Sequence, residues 1–425
     1  MAQTTQTDWC ERAKSVLPAG GFGNYDPSVV IRKGQGSRVW DENGKEYIDY
    51  LIGSGPMLVG HNHPEVMEAV QKQFTDGVTF FTSNPAGIEL AEVICEAVPC
   101  AEQLRYVSTG SEADMYAMRL ARAYTGRDLI LKFEGGYHGM CGEALMSMAP
   151  QKLENFPRAV PDSAGIPQAT RDGVLIAPFN EIEAARSLIA EYADQIAGVI
   201  VEPLQRLIPP EQGFLEALRA DTKQHGIVLI FDEVVTGFRL AYGGGQELYG
   251  VTPDLCTLGK VIGGGFPMAA IAGAARIMAH FDVDKVGPDG FTFQIGTLSG
   301  NPVAAAAGLK TLEILRRDGS YQALRDTGRR IMDMLRTGAD RTGIKAAIVG
   351  DPVLFDIMFA PAPVLTYRDT LKADTAHQKA FNSVLREERI LKAPMKFYAS
   401  LAHTEADLEA TQRAISKAFR ELGNL

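Results

Sequence analysis

Hydrophobic and polar positions alternate on two different periods along this chain. Between residues 103 and 273, short apolar runs are separated by amphipathic stretches. The runs "QLRYVST", "DLILKFE", "VLIAP", "IAGVIVEP", "IVLIFDEV", "LCTLGK" and "MAAIAG" predict seven strands. Most are apolar at successive positions, so both faces are covered, as in a mostly parallel sheet flanked by helices. Helical periodicity marks 64–75, 87–98, 111–125, 180–193 and 214–226. Near the N-terminus, 8–17 predicts a short helix capped by Asp8 and stopped at Pro18, and 29–51 predicts short strands turning at Asn43-Gly44. After residue 300 the pattern changes. Long helices are expected at 302–316 and 321–339, one strand-like run at 347–359, and helices near 375–388 and 405–421.

This is an α/β chain. A large domain is expected over 50–305, and a smaller α+β domain built from both chain ends, 1–49 and 306–425. With 425 residues, 46% of them hydrophobic, the chain can bury two cores. The formal net charge of −10 argues against nucleic acid and anionic membranes as partners. Five cysteines without metal-site spacing are expected to be reduced thiols. The first 21 residues have no apolar core of a signal peptide, and no run reaches about 18 apolar residues. A cytoplasmic protein is therefore expected.

One lysine stands out. "TLGKVIGGGFPMAA" holds a single charge, Lys260, between apolar and glycine-rich flanks. A phosphate-binding loop is excluded, because Asp254 and Val261 occupy its glycine and hydroxyl positions. A dinucleotide turn fails where Met268 replaces the third glycine. A snorkelling surface lysine and a lysine kept for covalent chemistry both remain.

Other polar residues sit where open parallel sheets bind ligands, at strand ends or the helix starts that follow. Gly110 and Ser111 open a helix whose free N–H groups suit a phosphate, or form a plain cap with Ser111 as cap and Glu112 or Asp114 in the first turn. Asp232 ends an apolar strand and needs a cation, either a ligand nitrogen or a structural partner such as Arg239. Its neighbour Glu233 should face the other side of the sheet. Tyr137 and His138 follow paired glycines, where an aromatic face could stack on a ligand or on the core. Thr297 and Ser299 precede a helix starting at Pro302. Together these positions suit a ligand with a phosphate, a ring, a basic nitrogen and a carbonyl. Pyridoxal 5′-phosphate has all four.

The motifs "STGSEAD", "GGYHG", "VIVEP", "LIFDEVVTGFR", "PDLCTLGKVIGGGFPMAAIAG" and "GTLSGNPVAAAAGL" occur in this order. As a set, they resemble the class III aminotransferases, pyridoxal-phosphate enzymes of fold type I. The resemblance implies that Lys260 forms the Schiff base and Asp232 faces the pyridinium nitrogen. It implies that Val234 and Tyr137 cover opposite ring faces, with His138 beside them, and that Gly110 and Ser111 cradle the phosphate. Glu202 would support the site from behind. Thr297 would reach the phosphate of a neighbouring subunit, which implies a homodimer with its active site at the interface.

The nearest flavour is the glutamate-1-semialdehyde 2,1-aminomutase branch, yet this chain departs from it. "GGFGNYDPS" lacks the branch's arginine, Gly55 replaces an aromatic residue, and "APMKFYASLAHT" replaces a longer segment. The expected function is therefore transfer of an amino group from a small amino acid, such as a β-amino acid, or an amine to a 2-oxo acid. Tyr25, Arg206, Lys396 and Arg32 are candidates to bind the substrate carboxylate. The aminomutase and an amino-acid racemase or epimerase are the alternatives.

Overall fold

A computed structural model describes residues 5–423. Its centre is a seven-stranded sheet. In chain order the strands of the protein are β1 (Ile31–Gln35), β2 (Arg38–Asp41), β3 (Glu46–Asp49), β4 (Gln103–Val107), β5 (Leu129–Phe133), β6 (Val174–Ala177), β7 (Ile196–Val201), β8 (Val228–Glu233), β9 (Leu255–Leu258), β10 (Ala269–Gly273), β11 (Ala347–Asp351), β12 (Leu354–Met358), β13 (Ile390–Leu391) and β14 (Phe397–Tyr398).

The central order is β4-β10-β9-β8-β7-β5-β6. Every neighbouring pair is parallel except those made by β10, which runs antiparallel to both β4 and β9. The apolar runs are explained by burial. All six residues of β7 and all six of β8 are buried. Side chains alternate between faces along a strand, so burial throughout requires cover on both sides. The helices Gly110–Thr125, Ile182–Glu191 and Phe214–His225 belong to that cover and return the chain between parallel strands.

The chain ends meet. β13 adds in parallel to β3, extending the sheet β1-β2-β3. Ile48 and Tyr50 share a core with Ile331, Phe381 and Phe419 from the C-terminal helices. The long helix Ser320–Thr342 packs on the helix Glu405–Leu422.

Three local expectations change. Thr5, not Asp8, caps the first helix (Gln6–Val16), and Asp8 answers from the third helical position in a reciprocal cap. Likewise Thr109, not Ser111, caps Gly110–Thr125, with Glu112 as the reciprocal partner. In both cases the hydroxyl three residues before a carboxylate wins, because hydroxyl and carboxylate then each accept a free N–H from the other's backbone. The run 347–359 is a hairpin, β11 against β12, turned at Pro352 and Val353. Proline cannot donate to a ladder and breaks the run there.

Candidate active site

A cavity of about 370 Å³ opens at the carboxyl ends of the parallel strands. Its walls include Gly110, Ser111, Asp114, Tyr137, Glu202, Asp232, Val234 and Lys260. Topology gathers residues that are up to 150 positions apart in sequence.

Lys260 follows β9 and starts a tight turn, Lys260–Gly263, with φ of 48°. A non-glycine residue in the left-handed region costs about 1–3 kcal/mol, so the surrounding fold holds it there. Loss of water pulls the Lys260 pKa below the usual lysine range, while Tyr398 and Asp232 oppose the shift. The snorkelling reading is thereby answered: the amine enters the cavity.

Asp232 lies on the cavity side of β8. His138 Nδ1 stands 2.8 Å from its Oδ2, and the backbone N–H of Val234 donates to Oδ1 at 3.1 Å. Arg239 is not its partner. That guanidinium donates instead to the carbonyls of Gly55 and Val353 and lies over the Tyr398 ring. Glu233 does face the other way. It accepts from the Thr236 hydroxyl and from the N–H groups of Gly245 and Gln246, so it anchors the start of the helix Gly244–Tyr249.

Tyr137 and His138 sit on a loop fastened from below. Lys132 of β5 is 1% exposed and has no carboxylate within ion-pair distance among the described residues. Its ammonium donates to the carbonyls of Gly136, Ala144 and Met146 at 3.2, 2.7 and 2.6 Å. Burial pushes its pKa down to about 7. Glu202 accepts the N–H of Tyr137 at 2.9 Å, which fixes the tyrosine backbone at the cavity wall.

The cradle beside Ser111 admits only glycine at two places. A Cβ on Gly110 would meet Val234 Cγ1 at 2.8 Å, and one on Gly139 would meet the Ser111 Cα at 2.6 Å. At Gly139 the positive φ of 86° excludes side chains as well. Free N–H groups at the start of a 16-residue helix therefore face the cavity without side chains in the way.

The candidates for substrate binding separate. Arg206 is exposed and lies over the Tyr137 ring, 5.3 Å from its centroid. Lys396 is half-buried beside Arg206, Arg239 and Glu202, and burial together with the two arginines pushes its pKa down to about 8. Neither borders the cavity directly; both stand at its mouth. Tyr25 is not brought to it: its hydroxyl donates to the Lys392 carbonyl, in a separate groove with Arg386. Arg32 is exposed on β1. Thr297 is exposed on the loop 291–301 and does not border this chain's cavity. Asp114 and Thr257 belong to the site and were not assigned a cofactor role from sequence. The signal was a carboxylate on the buried side of an apolar helix.

The class III aminotransferase family model matches residues 22–366. The chain belongs to that family. This class III aminotransferase is 42% identical over 402 residues to glutamate-1-semialdehyde 2,1-aminomutase 2 of Brevibacillus brevis, covering 92% of each chain. An omega-transaminase from Sphaerobacter thermophilus matches with a TM-score of 0.91 and 34% identity, over 99% of this chain and 98% of that one. A β-phenylalanine aminotransferase from Variovorax paradoxus matches with a TM-score of 0.88 and 31% identity, over 99% and 94%. The enzyme has the fold of pyridoxal-phosphate transferases of type I, with pyridoxal 5′-phosphate as its cofactor. The residues present fit that group: a glycine-lined helix start for phosphate, a flat phenol, a buried carboxylate and a desolvated amine in one cavity. No helix among the described residues is long and apolar enough to cross a membrane.

Proposed function

We propose that this enzyme is a transaminase that takes the amino group of a small β-amino acid or related amine and delivers it to a 2-oxo acid. The observation that carries this reading is the cationic mouth. Arg206 lies over the Tyr137 ring and Lys396 lies near Arg206, so a carboxylate set one carbon further from the amine could be held between them. The likeness to a β-phenylalanine aminotransferase supports the same substrate class.

In this reading, the N–H groups of Gly110 and Ser111 bind the cofactor phosphate. Tyr137 and Val234 hold the ring between them. Asp232, fixed by His138, keeps a proton on the ring nitrogen. Bound pyridoxal phosphate supplies a carbonyl to join the substrate nitrogen and a ring that withdraws electrons from it. Lys260 would be the amine that holds the cofactor through its carbonyl. When free, that amine would take the proton from the substrate carbon that bears nitrogen. Loss of water lowers its pKa, which favours the free base over what an exposed lysine would show. The Lys260→Ala variant should keep cofactor only noncovalently and lose turnover.

The enzyme is further proposed to be a homodimer. Phe81, Phe293, Ile295 and Leu298 are exposed at 64, 66, 62 and 48%, on the two segments that flank Thr297 and the loop 78–83. Apolar exposure of this kind marks a surface that is covered in the working protein. Thr297 would then serve the neighbour's phosphate site.

The 42% identity to an aminomutase supports a second reading, in which amino group and oxo group change places within one molecule. A half-reaction separates the two. The loaded enzyme is mixed with a single amino donor and no oxo acid. Bleaching of the cofactor band with release of one equivalent of oxo product from a β-amino acid supports the transaminase. Conversion of glutamate-1-semialdehyde alone, with no net oxo product from any donor, supports the mutase. Racemisation without oxo product refutes both.

A further inference from the structure

Asp114 has no place in the roles described so far. It stands one turn into the helix Gly110–Thr125, borders the cavity and is 2% exposed. The Thr257 hydroxyl lies 2.6 Å from Asp114 Oδ1 and 3.4 Å from Asp232 Oδ1, between the two carboxyl groups. The shared Thr257 hydroxyl thus brings the two carboxyl groups close together. Two buried carboxylates this close repel, and each loses hydration, so ionising both is costly. The surroundings choose which one carries the charge. Asp232 has His138 Nδ1, the Val234 N–H and Thr257 around it. Asp114 has the Thr257 hydroxyl alone. His138 is the one basic side chain paired at this spot among the described residues, and it pairs with Asp232.

The other titratable groups around Asp114 do not reverse the choice. Glu202 at the end of β7 is a further carboxylate. Tyr137 and Cys141, on the loop after β5, have pKa values raised by burial. Lys132, on β5, spends its donors on three carbonyls. Burial and the Asp232 charge push the Asp114 carboxyl well above the usual carboxylate range.

We propose that Asp114 is an uncharged positioning residue that shares its proton with Asp232, so that this carboxyl pair offers the cofactor ring nitrogen one negative charge rather than two. The proposal rests on the reading of Asp232 as the ring-nitrogen carboxylate. A single charge matches a ring that carries a single proton. Asp114 holds Asp232 in place through a hydrogen-bonded link without adding to its charge.

The test compares wild type with Asp114→Asn, both stripped of cofactor and loaded with it. The unfolded chain loses the Asp114 proton above about pH 4, while the folded chain keeps it. The contribution of Asp114 to wild-type stability is therefore lost as pH rises from there toward the folded pKa. Asparagine has no such proton. The melting temperature of the cofactor-free variant minus that of wild type should grow as pH rises above the ordinary aspartate range. A difference that does not change with pH overturns the proposal. In the loaded state at pH 7, asparagine replaces a group that is already neutral. The dissociation constant for pyridoxal phosphate should stay within about twofold, whereas loss of an anion beside the ring would weaken it tenfold or more. Such weakening also overturns the proposal. If the variant does not fold, neutron diffraction of wild-type crystals locates the hydrogen: on Asp114 in support, on neither carboxyl in refutation. Failure of wild type to bind pyridoxal phosphate would sink the cofactor-site reading but leave the cofactor-free melting result standing.

Discussion

Gly110→Ala is the sharpest perturbation of the cavity, because two effects compete and the structure decides between them. Alanine improves helix propensity, by up to about 1 kcal/mol in a helix interior and less at this first helical position. No positive φ penalises it. Against that, its Cβ would lie 2.8 Å from Val234 Cγ1 and 3.1 Å from Cγ2. Carbon atoms rest at about 3.5–4.0 Å, so Val234 must retreat by about 0.7 Å or more. Overpacking of this kind costs about 1–3 kcal/mol. The clash exceeds the helical gain. Val234 borders the cavity, so its displacement falls on the space for the cofactor ring. A net loss near 1.4 kcal/mol gives about tenfold weaker pyridoxal-phosphate binding. Titration of cofactor into the apoenzyme measures this directly. Val234→Ala removes both clashing carbons. In that background, Gly110→Ala should therefore cost less than about twofold. Equal losses in the two backgrounds would refute the steric argument.

Three further outcomes follow from the same geometry. Lys396, with its pKa near 8, is charged below that value, so its hold on a substrate carboxylate should be present below pH 8 and fade above it. The KM of a β-amino acid should rise from pH 7.5 to 9 in wild type, and stay high and flat in Lys396→Met. The Lys392 ammonium and Asp356 carboxylate form a nearly fully buried pair 2.8 Å apart. Asp356→Asn strands the lysine and should cost about 3–5 kcal/mol in urea unfolding, while a double change to Leu and Met costs far less. Lys132, with a folded pKa near 7 against 10.5 unfolded, binds fewer protons folded than unfolded between those values. The Lys132 contribution to stability should therefore grow with pH across that window, so the melting temperature of wild type minus that of Lys132→Met should increase from pH 6.5 to 9.

The central sheet was legible because burial on both faces writes itself as continuous apolar runs in most of its seven strands; β4, with Gln103 and Arg105, is an exception. The direction of β10 was not, since an apolar run has the same composition whichever way it points. The hairpin at 347–359 merged into one run because Pro352 and Val353 are both tolerated in an extended segment read without its partner strand. Within the site, the placement of Lys260 and Asp232 at strand ends could be argued locally. The contact of His138 with Asp232, 94 positions away, could not. Thr109 was passed over for Ser111 although Glu112 three residues on was the available signal. The position of Tyr25 was not legible for a similar reason: its partner, the Lys392 carbonyl, lies 367 positions away.

Asp232 and Glu233 are consecutive, yet they serve opposite sides of the sheet. One faces the cofactor cavity; the other grips the start of the helix Gly244–Tyr249. A Cβ on Gly244 would come within 2.5 Å of Glu233 Oε2. A methyl group there, on the far side of the sheet from any substrate, would push on Glu233 and tilt the strand end that aims Asp232. Substitution in the 243–245 glycine run should therefore change cofactor affinity from a distance, through the single peptide bond that joins Glu233 to Asp232.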